Sequence, residues 1–258
     1  IYYSVAKLWK LFGKDLGIFR LVNLIIFSIG LYALFKIFKN ILKDNFWSIT
    51  LTLFLFTSPL LSFYANNFIM NSTAFSIVMI AFYFTNIYYR EFKIKLLKYL
   101  SFFFLLAALL KITALLSFIG LLPIHLYIIL KRNNIKNMYF HLIPPIIVFI
   151  LIFSWYSYAK YYNESNLQGI FLQGILPYWE LDSLQIKNLI KLLYHKLLPS
   201  YFSQSISFFI LIIFIYSLLN FKKANKFLLI LSINCLVGSI LYISLFFQVF
   251  NVHDYYLI

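Results

Sequence analysis

The chain alternates between apolar runs of bilayer length and short polar interruptions. Runs at about 18–37, 46–64, 72–89, 97–110, 113–130, 139–158, 204–220 and 227–248 come close to the ~20 residues a helix needs to cross a hydrocarbon core, and each predicts a span. The fourth is short, and the turn at Lys111 after it is expected to be sunk below the membrane surface. Two other segments read as helices lying in the interface. In residues 1–17, Val5, Leu8, Trp9 and Phe12 follow helical spacing, while Lys7, Lys10, Lys14 and Asp15 break the apolar run. Further on, Ile186, Leu189, Ile190, Leu193 and Leu197 make one stripe and Lys187, Asn188, Lys191 and His195 the opposite one. The expected fold class is all-α: a polytopic transmembrane helical bundle of about eight spans, with interfacial amphipathic helices and a long outer loop. Residues 1–258 form a single membrane domain in this reading.

Composition agrees. With 63% hydrophobic and 11% charged residues and a mean hydropathy of +0.89, the chain lies far outside the soluble globular range. The net charge of +15 raises a nucleic-acid partner, but the lysines come in short clusters between apolar runs, as orientation signals do, and not in one patch. The single cysteine, Cys235, lies in an apolar run and reads as a packing residue. No signal peptide is visible and the chain opens on Ile1 without methionine, so a start further upstream is expected.

Charge also orients the spans. Alternate loops at 36–45, 90–98, 131–137 and 222–226 carry 13 of the 22 basic residues, which places those loops in the cytoplasm. Asp15, Glu164, Glu180, Asp182 and Asp254 then fall on the outer face, leaving only Asp44 and Glu91 inside. The long segment 159–203 cannot cross, because Gly169, Gly174, Pro177 and Pro199 break it and three of the seven acids lie in it. Its polar groups face water outside the cytoplasm, which makes it part of the expected working face.

The opening YYSVAKLWKLFGKDLGIFRLVNLIIFSIGLYALFKIF, followed by FLFTSPLLSFYANNFIMNSTAFSIVMIAFYF, resembles the bacterial GT-C membrane glycosyltransferases, in the group similar to protein O-mannosyltransferases and aminoarabinose transferases. The matching features are Tyr2 and Tyr3, Phe12 and Gly13, Arg20 and Leu21, Ser58 and Pro59, the LLKITAL around Lys111, and the HDYY at His253 to Tyr256. Two features depart from the family. Its principal catalytic acid belongs to a first outer loop that would precede Ile1. Where many members have Asp-x-Pro after the third span, this chain has Asn71, Ser72 and Thr73.

The resemblance implies transfer of a sugar from a polyprenyl-phosphate donor to a glycan, lipid or protein acceptor at the outer face of a bacterial cytoplasmic membrane. Membrane lipid and the lipid-linked sugar are the expected partners, with no cofactor beyond the donor and no metal. A carboxylate base would deprotonate the acceptor, and cations would stabilise the departing phosphate. Lys111, between two apolar runs, either holds that phosphate or snorkels to the interface. Arg20, at the outer start of a span, is either bidentate to phosphate or an interfacial anchor. His253 and Asp254 either orient the acceptor and share a proton or cap an outer loop.

Glu180 and Asp182, beside Trp179, suit sugar hydroxyls and ring faces, although Asp182 is equally suited to capping the helix after it. Glu164 is a further candidate on the same segment. Tyr64, Asn66 and Asn67 emerge from a span end where they would line an acceptor cleft or simply sit in the interface. His125, His141 and His195 lack metal-ligand spacing with an acid and read as solvated or interfacial histidines. A polysaccharide polymerase and a lipid-linked glycan flippase or transporter are the alternatives, the last disfavoured by the scarcity of ionisable groups within spans.

Overall fold

The computed structural model describes residues 2–67, 69–132, 138–166 and 176–251. Among these the regular structure is helical: α1 Tyr2–Phe12, α2 Leu16–Leu42, α3 Asn45–Phe56, α4 Pro59–Ala65, α5 Met70–Glu91, α6 Ile94–Leu110, α7 Ala114–Lys131, α8 Met138–Ser165, α9 Ser183–Leu192, α10 Leu198–Tyr201, α11 Gln204–Leu219 and α12 Lys226–Leu245. Each of the eight apolar runs is occupied by helix. Among the described residues five helices are long and apolar enough to cross a membrane, and up to seven spans result if each of two sharply bent helix pairs counts as one. The protein is a multi-pass helical membrane protein. The chain divides at the start of α7 into two compact units, Ile1–Ala114 and Leu115–Leu257.

In the first unit, short caps turn the chain between helices. The Gly13 N–H donates to the Trp9 carbonyl at 3.0 Å, with φ at +88°, a conformation that only glycine adopts without strain. The Trp9 indole then donates to the Asp15 carbonyl at 2.7 Å, and the Asp15 carboxylate caps α2 by accepting from the Gly17 N–H at 2.8 Å. Asp44 caps α3 in the same way, from the Trp47 N–H at 2.8 Å.

The second apolar run is not one straight span. Pro59 has no N–H to give, and it pushes Ser58 into an extended conformation (φ −63°, ψ 118°). The helix axis therefore bends by 81° between α3 and α4. Ser58 caps α4, and the Ser62 hydroxyl donates back to the Phe56 carbonyl at the end of α3.

α5 is the centre of this unit, packed against both α2 and α6. Phe82 meets Phe104 edge-on at 5.7 Å and Phe84 stacks on Phe103 at 5.4 Å, which sets the antiparallel register of α5 and α6. On its other side α5 meets α2 where Gly30 lies against Ser76, so the two backbones approach without an intervening side chain. The basic loops at 36–45 and 90–98 lie at one end of these helices; the α4–α5 turn and the end of α6 lie at the other.

In the second unit α7 is joined to α8 and to α12 by polar contacts. His125 Nε2 pairs with the His141 carbonyl at 2.9 Å, and the Asn234 amide donates to the Gly120 carbonyl. Both histidines are buried, so of the solvated or interfacial reading the solvated alternative is corrected: they pack between helices. α8 is 28 residues long, about 42 Å, and outruns the ~30 Å hydrocarbon core. Residues 160–165, read from the sequence as the start of the outer loop, continue this helix, with Lys160 paired to Glu164 at 3.8 Å.

Candidate functional site

The first unit carries a buried polar knot at the end opposite its basic loops. Asn23, on the second turn of α2, is 1% exposed. Its amide nitrogen approaches the carbonyls of Tyr64 at 3.2 Å and Ala65 at 3.1 Å, the carbonyl of Asn67, and the Ser72 hydroxyl at 3.0 Å. Its oxygen accepts from the Thr73 hydroxyl. Ser72 in turn donates to the Ile69 carbonyl at 3.0 Å. The last two carbonyls of α4 thus receive a donor from α2, the Tyr64 carbonyl in addition to the Asn67 N–H at 3.2 Å, and the turn carrying Asn66 and Asn67 is tied to the start of α5. Nothing in the apolar run around Asn23 marks it out. The only sequence signal is a carboxamide inside a predicted span, where an unpaired polar group would be costly.

Around this knot the predicted residues separate. Asn66 is exposed and Asn67 half-buried, both on the secured turn. Tyr64 is buried and contributes its carbonyl to the knot, so it packs inside the unit and does not line an open cleft. Arg20, one turn before Asn23, is exposed. Lys111 lies in the link between α6 and α7, half-buried. Burial lowers the pKa of its ammonium from the ordinary lysine value, and an anion brought beside it would raise that pKa again. Asn71, Ser72 and Thr73, standing where the resembled family has Asp-x-Pro, are all buried at the start of α5.

In the second unit, the stretch leading into α9 is fastened to the end of α12. The Leu176 N–H donates to the Leu245 carbonyl at 3.0 Å, and the Gln248 N–H donates to the Leu176 carbonyl at 3.3 Å. The Gln248 side chain donates to the Pro177 carbonyl at 3.1 Å. On this anchored base stands a single 3-10 turn, Tyr178–Glu180. Tyr178 and Trp179 are exposed and meet edge-on at 5.4 Å, with the exposed Glu180 beside them. His253 and Asp254, a few residues beyond Gln248, lie outside the described residues.

The acids sort by what already engages them. Asp15 and Asp44 cap helices, and Glu91 pairs with Lys93 at 2.8 Å. Glu164 pairs with Lys160. Asp182 forms a capping box for α9: its carboxylate accepts from the Gln185 N–H at 2.7 Å, while the Gln185 side chain accepts from the Asp182 N–H at 3.1 Å. Of its two sequence readings, the cap is the one the geometry fulfils. Among the described acids, Glu180 alone has neither a cap nor an ion pair to make. Accordingly, Asp182→Ala should loosen α9 by about 1 kcal/mol, read as faster amide exchange over 183–192, while Glu180→Gln should leave that exchange unchanged.

Comparison of the chain with protein-family models, with curated proteins and with solved structures finds no match.

Proposed function

We propose that the chain is a membrane glycosyltransferase that moves a sugar from a polyprenyl-phosphate donor to an acceptor at the outer face of a bacterial cytoplasmic membrane. In this reading α6 also crosses, giving eight spans, and the basic loops lie in the cytoplasm. The observation that carries the proposal is the anchored turn Tyr178–Glu180, where an unengaged carboxylate stands beside two exposed aromatic rings. Carboxylate oxygens accept from sugar hydroxyls and aromatic faces cover the apolar face of a sugar ring, so the pair suits a carbohydrate group. Within the first unit, Arg20 and Lys111 are the candidate cations for a phosphate and Asn66 and Asn67 the candidate amides on the turn held by Asn23; Asp254 and His253 are further candidates from the sequence.

Membranes containing the protein, incubated with a panel of polyprenyl-phosphate sugars, should release polyprenyl phosphate and glycosylate an acceptor. Lys111→Gln, Asp254→Asn and Glu180→Gln should each lower that transfer at least about tenfold, the loss expected for a charged hydrogen-bonding contact, with expression unchanged. Full transfer by all three variants would remove these residues from the site. Lipid-linked sugar that crosses the membrane uncleaved would favour the flippase.

A further inference from the structure

α9, the π-helical turn Leu193–Leu197 and α10 follow one another without a break, and this rod meets α11 at 87°. α11 is continuously apolar over residues 208–215 and has no buried residue, as a helix in lipid is, so a rod at right angles to it runs along the membrane surface. The rod has three sides. Leu189 and Leu197 are buried, and α9 packs on the short turn Phe247–Asn251, whose Phe247 and Phe250 are also buried. Ile190, Tyr194 and Leu198, spaced four apart, form a second stripe and remain 53%, 54% and 49% exposed. Lys187, Lys191 and His195, also spaced four apart and each three residues before a member of that apolar stripe, form a third; all three are exposed.

From Ser183 to Tyr201 the rod contains three lysines and no acid, and the one carboxylate at its start, Asp182, is taken up as the cap. An exposed apolar stripe running beside a basic one matches the boundary between acyl chains and phosphates. We propose that this rod is a docking surface for anionic phospholipid headgroups: Ile190, Tyr194 and Leu198 enter the acyl boundary, and Lys187 and Lys191 meet the phosphates of negatively charged lipids. The occupant follows from charge complementarity, and the proposal stands apart from sugar transfer.

The test places a photocrosslinker on the rod, Asn188→p-benzoylphenylalanine, in the whole chain in nanodiscs of equimolar phosphatidylglycerol and phosphatidylcholine. Phosphatidylglycerol adducts should exceed phosphatidylcholine adducts by about tenfold, given the attraction of each lysine near an anionic surface, and high salt should shrink that excess. The K187Q/K191Q variant should bring the two adducts to parity, whereas K222Q/K223Q, a matched charge change beyond the far end of α11, should leave the ratio unaltered. Equal adducts in the unsubstituted chain, a ratio insensitive to both salt and K187Q/K191Q, or crosslinks to a second copy of the chain would each overturn the proposal. The salt dependence needs no lysine variant, so the outcome does not hang on the folding of K187Q/K191Q.

Discussion

Asn23→Leu should destabilise the first unit by about 2–4 kcal/mol and free the turn that carries Asn66 and Asn67. Leucine keeps the branched outline of asparagine and, being bulkier, adds overpacking to the loss. What is lost is the donor set. One amide has two N–H groups, so at most two of the four acceptors around it are fully bonded at once, and a third bond is accepted from Thr73. Three buried bonds at about 0.6–1.5 kcal/mol each give that range, the lower value being the mean for interhelical bonds in membranes. Asn23→Asp is the sharper variant, because it keeps the shape and sets oxygen against the carbonyls of Tyr64, Ala65 and Asn67. It should destabilise more than Asn23→Leu in denaturant titrations of the protein in detergent. An order of stability with Asn23→Asp close to the unsubstituted protein would mean that the amide is not a donor there.

The second large effect is expected at Gly30. A Cβ there would stand 2.9 Å from both Cα and Cβ of Ser76 and 3.0 Å from its carbonyl oxygen, closer than real Cβ contacts allow, and two of these three atoms are backbone. Gly30→Ala must therefore push α2 off α5, and Gly30→Leu must push it further. Overpacking of this kind costs about 1–3 kcal/mol, occasionally more, with Gly30→Leu at the upper end. Gly13→Ala makes a useful contrast, since nothing lies within 4 Å of its Cβ and only its positive φ opposes the change. Thermal unfolding should rank the variants Gly30→Leu, Gly30→Ala, Gly13→Ala from least to most stable. Equal stability of Gly30→Leu and the unsubstituted protein would contradict the close α2–α5 approach.

These two sites also mark the limit of what the sequence conveys. The helices were legible because in lipid a backbone must satisfy its own hydrogen bonds, so a long apolar run is nearly sufficient to specify one. The amphipathic helices α1 and α9 were legible from their spacing. The 81° bend was signalled by Ser58-Pro59, but its size depends on how Ser58 and Ser62 re-satisfy the exposed backbone groups. Helix α8 ran past its apolar run because Lys160 to Glu164 still favours helix through an i, i+4 pair. The stripe on α9 was correctly placed, yet Ile190, counted on its apolar side, is exposed.

Asn23 was missed because its role is set by partners 41 to 50 residues away, which no local pattern encodes. Asp182 was ambiguous for the opposite reason: a capping carboxylate and a ligand carboxylate look alike until the Gln185 N–H is seen to engage it. Tyr64, which follows a span end, reads from the sequence as lining an acceptor cleft or sitting in the interface; the structure buries it after the bend at Ser58.

The sidedness of the two site regions is the claim on which the functional reading rests. In a Cys235→Ser background, single cysteines placed as Asn66→Cys, Glu180→Cys, Arg132→Cys and Lys223→Cys can be labelled with a membrane-impermeant maleimide from either side of the membrane. The reading predicts that positions 66 and 180 react only from outside the cytoplasm, and that 132 and 223 react only after the inner face is opened. Positions 66 and 180 on opposite sides, or 180 in the cytosol, would contradict it.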